Sequence, residues 1–170
     1  MTDDRKDALH AIVAELLGLS GNRVVWANQI MPRQKRPFAT MQIISELRES
    51  GEDLKPTEPG KYDVIVPVSA VVSVQYYGCG AMARLDALVR GLERPTIVDR
   101  CAAAGLAAYD DAGVSDTSMA LDGERWEERA TADLRIRYSN VVADEPGYID
   151  TVVIDGGEGS QFAVDGKDKG

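Results

Sequence analysis

A chain of 170 residues, 44% hydrophobic and 28% charged, suits one folded domain or one domain with a tail, and its composition excludes disorder of the whole chain. Its 19 Lys and Arg against 28 Asp and Glu leave a net charge of −9, which excludes a nucleic-acid-coating protein and a polybasic membrane anchor. No apolar run approaches the roughly 20 residues that span a bilayer, the charged start Met1–Asp7 is unlike a signal peptide, and two cysteines with one histidine point to a reducing, cytosol-like compartment.

Residues 3–17 predict a helix. Leu9, Ile12, Val13, Leu16 and Leu17 recur at helical spacing, Asp3, Asp4 and Asp7 suit the positive end of the dipole, and Gly18 and Gly21 end it. His10 falls beside the apolar stripe and reads as a solvated or boundary residue; any Ser-His-Asp or Cys-His system would rest on it alone. Arg23–Ala27 is a short strand. It runs into a loop bracketed by Pro32 and Pro37, in which Arg33, Lys35 and Arg36 place three positive charges. Either that loop is solvated, or it contacts an acidic partner such as the acidic face of a neighbouring copy.

Phe38–Leu47 alternates, with Ala39, Met41, Ile43 and Leu47 on one side. Residues 49–60, with Gly51, Pro56, Pro59 and Gly60, form an exposed connection suited to a long hairpin tip. Val64–Tyr76 is the clearest strand: every even position is apolar or aromatic, which marks a sheet with one buried face. Pro67 demands an edge or a bulge there. Gly78-Cys79-Gly80 ends the strand and precedes a helix, the context of an anion site, but position 83 is Ala where a third glycine would stand, and tight-turn geometry is the favoured reading.

The helix over 81–92 carries Met82, Leu85, Leu88, Val89 and Leu92 on one stripe. Pro95 opens a third helix with Ile97, Val98 and Cys101 inward and Gly105 at its end. Cys79 and Cys101 lack the paired short spacings of a zinc site and read as buried or half-buried thiols. Val114–Leu121 is a weak strand and Trp126–Tyr138 a stronger one. A turn at Asp144–Gly147 leads to a last strand over Tyr148–Ile154. Residues 155–170, with five glycines and four acids, read as a flexible acidic tail, so the domain is expected over 1–154. Strands and helices do not alternate regularly. The expected fold is therefore α+β: a mainly antiparallel twisted sheet, helices packed on one face, and long hairpins or loops projecting.

The charge is uneven. Residues 109–154 hold 4 basic and 11 acidic groups, net −7, whereas residues 1–108 are neutral. This marks either a solvated acidic face or a surface oriented toward a partner. Asp110, Asp111, Asp116, Asp122 and Glu124 lack the order of a calcium loop. Glu127 and Glu128 are adjacent in a strand, so they point to opposite faces and do not jointly flank one bond. Gly156–Ser160 lacks the lysine and following helix of a phosphate loop. No catalytic, cofactor or metal constellation emerges, and no cofactor is expected.

Several runs carry a resemblance: Val25-Trp26-Ala27-Asn28-Gln29, Met31-Pro32-Arg33, Pro37-Phe38-Ala39-Thr40, Val72–Gly78 leading into a helix, Trp126-Glu127-Glu128-Arg129-Ala130, and Gly147–Val152. In this order and spacing, across residues 1–154, the chain resembles the bacteriophage neck or tail terminator proteins. The resemblance implies a non-enzymatic virion protein of the tail and neck, present in the host cytoplasm during assembly. It implies a small α+β subunit that closes into a ring, usually of six. Such a ring caps the tail tube, stops its growth and joins it to head-completion (stopper) proteins; in contractile tails it also meets the sheath. DNA passes through the lumen without specific binding, and no membrane is involved. Trp26, Arg33, Lys35 and Arg36 are the candidate interface residues. The competing readings are another connector component, a stopper or tube-like subunit, and a small ligand-binding or enzymatic α+β domain; the last requires a closed pocket with convergent polar groups.

Overall fold

The structure, a computed structural model, describes residues 1–27, 34–121, 125–147, 151–155 and 161–165. Helix α1 (Asp3–Leu17) forms on the expected periodicity and buries Leu9, Ile12, Val13, Ala14 and Leu17. Gly18 closes it in the left-handed conformation, and the Gly18 and Leu19 N–H groups return to Glu15 O at 3.0 Å and Ala14 O at 2.9 Å. A 3-10 turn, Gly21–Arg23, leads into β1 (Val24–Trp26). His10 Nε2 donates to the Val24 carbonyl at 2.7 Å, so the single histidine ties α1 to the first strand.

The remaining elements are β2 (Phe38–Arg48), β3 (Asp53–Glu58), β4 (Lys61–Tyr77), α2 (Ala81–Leu92), α3 (Pro95–Ala103), β5 (Ala107–Asp116), β6 (Met119–Leu121), β7 (Arg125–Glu127), β8 (Arg129–Asp144), β9 (Thr151–Asp155) and β10 (Gln161–Asp165). The main sheet runs β1-β2-β4-β8-β5, with β3 on β4; β6 pairs with β7, and β9 with β10. The β1–β2 pair is parallel, whereas β2–β4, β3–β4 and β5–β8 are antiparallel. The α+β class holds.

The chain divides into two compact units. The first, Met1–Gly51 with Pro67–Asn140, holds the three helices. Its core joins Leu9, Leu17, Met41, Leu85, Leu88 and Leu134 to the even positions Val68–Tyr76 of β4 and Ala130–Tyr138 of β8. Each such aliphatic side chain contributes about 1.5–3 kcal/mol by leaving water. Gly91 lets α2 approach α1 closely: a Cβ there would meet Leu16 Cδ2 at 2.6 Å. Pro67 falls between the last β2 pair, Arg48↔Val68, and the first β3 pair, Asp53↔Ile65, where its missing N–H interrupts no ladder bond to either strand.

Several side chains depart from the sequence reading. A bulge between Ile43 and Ser45 reverses the phase of β2, so Ala39 and Met41 are buried while Leu47 pairs with Ser69 and is 68% exposed. Met82 and Val98 lie at the margins of their helical stripes and are largely exposed, as is the thiol-bearing Cys79. Cys101 is buried, and burial pushes its thiol up. The strand expected over Val114–Leu121 is divided between β5, which already begins at Ala107, and β6; the irregularity between Asp110 and Val114 breaks the alternation that would have revealed the first half of β5.

The second unit is Glu52–Val66 with Val141–Gly170. Strand β3, exposed at all six residues, pairs with the start of β4 in the hairpin expected over 49–60. Lys61 Nζ reaches Glu58 at 3.1 Å and Glu145 at 3.6 Å. Strand β9 overlaps the expected last strand, whose start at Tyr148–Asp150 lies outside the described residues. Gln161–Asp165 pairs antiparallel with it, and residues 156–160 and 166–170 of the expected tail also lie outside the described residues.

Candidate assembly interface

Three sequence stretches far apart in the chain meet at one end of the main sheet: Arg36–Phe38 at the start of β2, Tyr76–Ala81 from the end of β4 to the start of α2, and Trp126–Arg129 from β7 into β8. Helix α2 begins without Ser, Thr, Asp or Asn at its cap; Gly80 stands there in the left-handed conformation, φ 73°. A remote carboxylate replaces the missing cap. Glu128 Oε1 accepts from Gly80 N at 2.7 Å and from Ala81 N at 3.3 Å, and the Gly78 N–H donates to the Glu128 carbonyl at 3.1 Å. The glycine turn thus binds an anion, and that anion is the chain's own Glu128.

The neighbouring acid points elsewhere, as strand geometry requires. Glu127, 9% exposed, forms an ion pair with Arg36. Tyr77 stacks on Phe38 with ring centroids 4.5 Å apart, and the Arg129 guanidinium lies 5.5 Å from the Tyr77 centroid. Arg129 Nε donates to Thr117 Oγ1 at 3.2 Å. Gly78, φ 143°, packs where a Cβ would sit 3.1 Å from Pro37 Cβ. These contacts fix the base of the β6–β7 hairpin, on which Ala120 opposes Trp126. Trp126 is 69% exposed and lines a cleft of about 430 Å³ with Arg36, Pro37, Cys79, Arg84 and Glu128. The cleft is open to solvent.

Of the four expected interface residues, Arg36 joins this cluster and Lys35 is exposed beside it in the chain. Trp26 is half-buried against the core and lines a different cleft, with Asp3, Lys6 and Asp7 of α1. Arg33 lies outside the described residues. Asp110, Asp111 and Asp116 serve local geometry: Asp110 accepts from Gly113 N at 3.0 Å, Asp111 pairs with Arg135 at 2.6 Å, and Asp116 accepts from Ser118 N at 2.8 Å. The Ser118 side chain and backbone hold the Asp116 carboxyl below its usual range. Asp122 and Glu124 lie outside the described residues. Among the described residues no group of three or more His, Cys, Asp or Glu is placed to hold a metal.

Two features escape sequence reasoning: the cap by Glu128 and the Phe38–Tyr77–Arg129 stack. A helix start without its own cap signals that some distant acceptor must serve, but not which. A family model described as phage neck terminator protein matches residues 5–161. The chain belongs to the phage neck terminator family. The match takes in every residue of the cluster just described. No curated protein matches the chain. Membership makes this neck terminator a structural protein of the virion whose partners are other head and tail proteins of the phage. No helix among its described residues is long and apolar enough to cross a membrane.

Proposed function

We propose that this neck terminator closes into a ring of six that caps the tail tube, ends its polymerisation and joins it to the head-completion proteins. In a contractile tail the same ring meets the first sheath ring. DNA passes through the lumen, and the acid excess over residues 109–154 opposes its adhesion. The chain carries no catalytic role and takes no cofactor. Trp26, Arg33, Lys35 and Arg36 contribute to contacts between subunits or with neck partners, and residues 155–170 form a tail appended to the 1–154 domain.

The observation that carries this reading is the family match over residues 5–161, which embraces nearly the whole chain. A head-to-tail contact between two different patches gives a ring when its rotation closes, which suits a subunit with a basic loop over residues 33–36 and an acid excess over residues 109–154. The test is a phage lacking this protein. Headless tails of uncontrolled length are expected; tails of normal length joined to heads would defeat the reading.

A further inference from the structure

We infer that the open face of the main sheet, the one turned away from the helices, lines the lumen of the ring and is the surface that DNA passes. The inference rests on the ring reading above and says which side of the subunit faces inward. In the first unit the even positions of β4 and β8 pack with the helices, so the odd positions point the other way. The middle of that face carries hydroxyls and amides: Thr40 and Gln42 of β2, Ser73 and Gln75 of β4, and Thr131 of β8. The β2–β4 register sets Thr40 against Gln75 and Gln42 against Ser73.

The charges of this face are matched by contact. Arg135 pairs with Asp111 at 2.6 Å and Arg137 with Glu49 at 3.0 Å. Arg129 has its Nε on the Thr117 hydroxyl and its guanidinium 5.5 Å from the Tyr77 centroid. Three arginines, 129, 135 and 137, thus stand against three carboxylates, Glu49, Asp111 and Asp133. DNA is held when Lys and Arg side chains meet its phosphates and displace counterions. Here two of the three arginines would first have to leave a carboxylate. The hydroxyls and amides only exchange a bond to water for one to phosphate, at little net gain. The helix side differs. Arg84 of α2 and Arg94 at the start of α3 are exposed and pair with no carboxylate among the described residues, and Met82 and Val98 are 41% and 50% exposed. Turned inward, those free cations would grip a duplex; turned outward, they and the apolar side chains meet protein or solvent.

The test places the photo-crosslinker p-benzoylphenylalanine in the full chain, at Val71 or Gln75 on the open face of β4 or at Met82 or Val98 on the helices, and assembles virions that carry it. Genome ejection is arrested part-way by external osmotic pressure, so that DNA spans the neck, and the particles are irradiated. The DNA-linked chain from Val71 and Gln75 is expected to exceed that from Met82 and Val98 at least tenfold. An equal or greater DNA yield from the helix positions, or no DNA product from either open-face position, overturns the inference. Ejection rate gives a second reading. Val71→Lys with Gln75→Lys is expected to slow ejection at least tenfold, with recovery as salt rises, while Met82→Lys with Val98→Lys leaves it unchanged. Equal or reversed effects of the two pairs overturn the inference. None of these outcomes touches the ring reading, which fails separately if imaging of the virion neck shows no ring of this chain.

Discussion

At the scale of single residues, Glu128 is the most consequential side chain outside the core. It is partly buried and supplies the acceptor that α2 lacks, so its loss leaves the Gly80 and Ala81 N–H groups without their partner. Glu128→Ala is expected to cost about 1–3 kcal/mol in urea unfolding. Glu128→Gln, which keeps an acceptor oxygen but not the charge, is expected to recover part of that loss. Equal losses for both variants would show that charge alone, rather than hydrogen bonding, stabilises the helix start. Tyr138 is a second informative position. Burial first, and the nearby Glu46 carboxylate next, push its phenol from 10.0 up to about 12, and no partner sits within hydrogen-bond distance of the buried Oη. The folded state thus favours the neutral phenol. That contribution is complete below pH 10 and is lost as pH rises toward 12. Thermal midpoints of the wild type and Tyr138→Phe, followed from pH 9 to pH 12, are expected to converge or cross as the wild type loses more. A constant difference across that range would remove the phenol from the account.

At the scale of elements, the helices and the two long strands were legible because one periodicity governed each over many residues. Val64–Tyr76 alternated without a break, and β4 buries Val66, Val68, Ala70, Val72, Val74 and Tyr76. What was not legible came from single-residue insertions that no periodicity reports. Ile44 is such an insertion: the pairs run Ile43↔Val72 and then Ser45↔Val71, so Leu47 is carried to the face away from the helices. The interface cluster was legible in its parts, as Gly78-Cys79-Gly80 and Trp126–Arg129, but not in its assembly, because side chains from three strand ends meet there only through the sheet order. The bulge carries its own prediction. Deleting Ile44 leaves every pair on both sides of it intact, so the variant is expected to fold with a stability change within about 1.5 kcal/mol. Inserting an alanine between Met41 and Gln42 instead shifts the register and sends one side of the strand to the wrong face. That variant is expected to lose cooperative unfolding. Gly91 sets the approach of α1 and α2 in the same way: Gly91→Val would press on Leu16 and is expected to cost about 1–3 kcal/mol by thermal or urea unfolding.

At the scale of the whole molecule, charge acts at two ranges. Close in, many of the acids are satisfied: Glu127 by Arg36, Asp111 by Arg135, Glu49 by Arg137, and Glu128 by the start of α2. Such pairing cancels fields within a few ångströms but leaves the net charge of −9 untouched. Beyond a Debye length of about 8 Å at physiological salt, a passing duplex meets that net charge, weakened by ions, rather than individual arginines. A positive patch around Arg84 and Arg129 would have to overcome it to hold DNA. Basic proteins bind duplex non-specifically at about 10⁻⁴–10⁻⁶ M, with affinity falling steeply as salt rises. The expectation here is no retention of a 30-base-pair duplex by the full chain at micromolar concentration in about 50 mM salt, where a positive surface would be most adhesive. Arginine-to-alanine changes at positions 84 and 129 should then leave the result unaltered. Micromolar binding with a steep salt slope, lost in that double variant, would show that the local patch outweighs the net charge, and the passage of DNA without adhesion would need another cause.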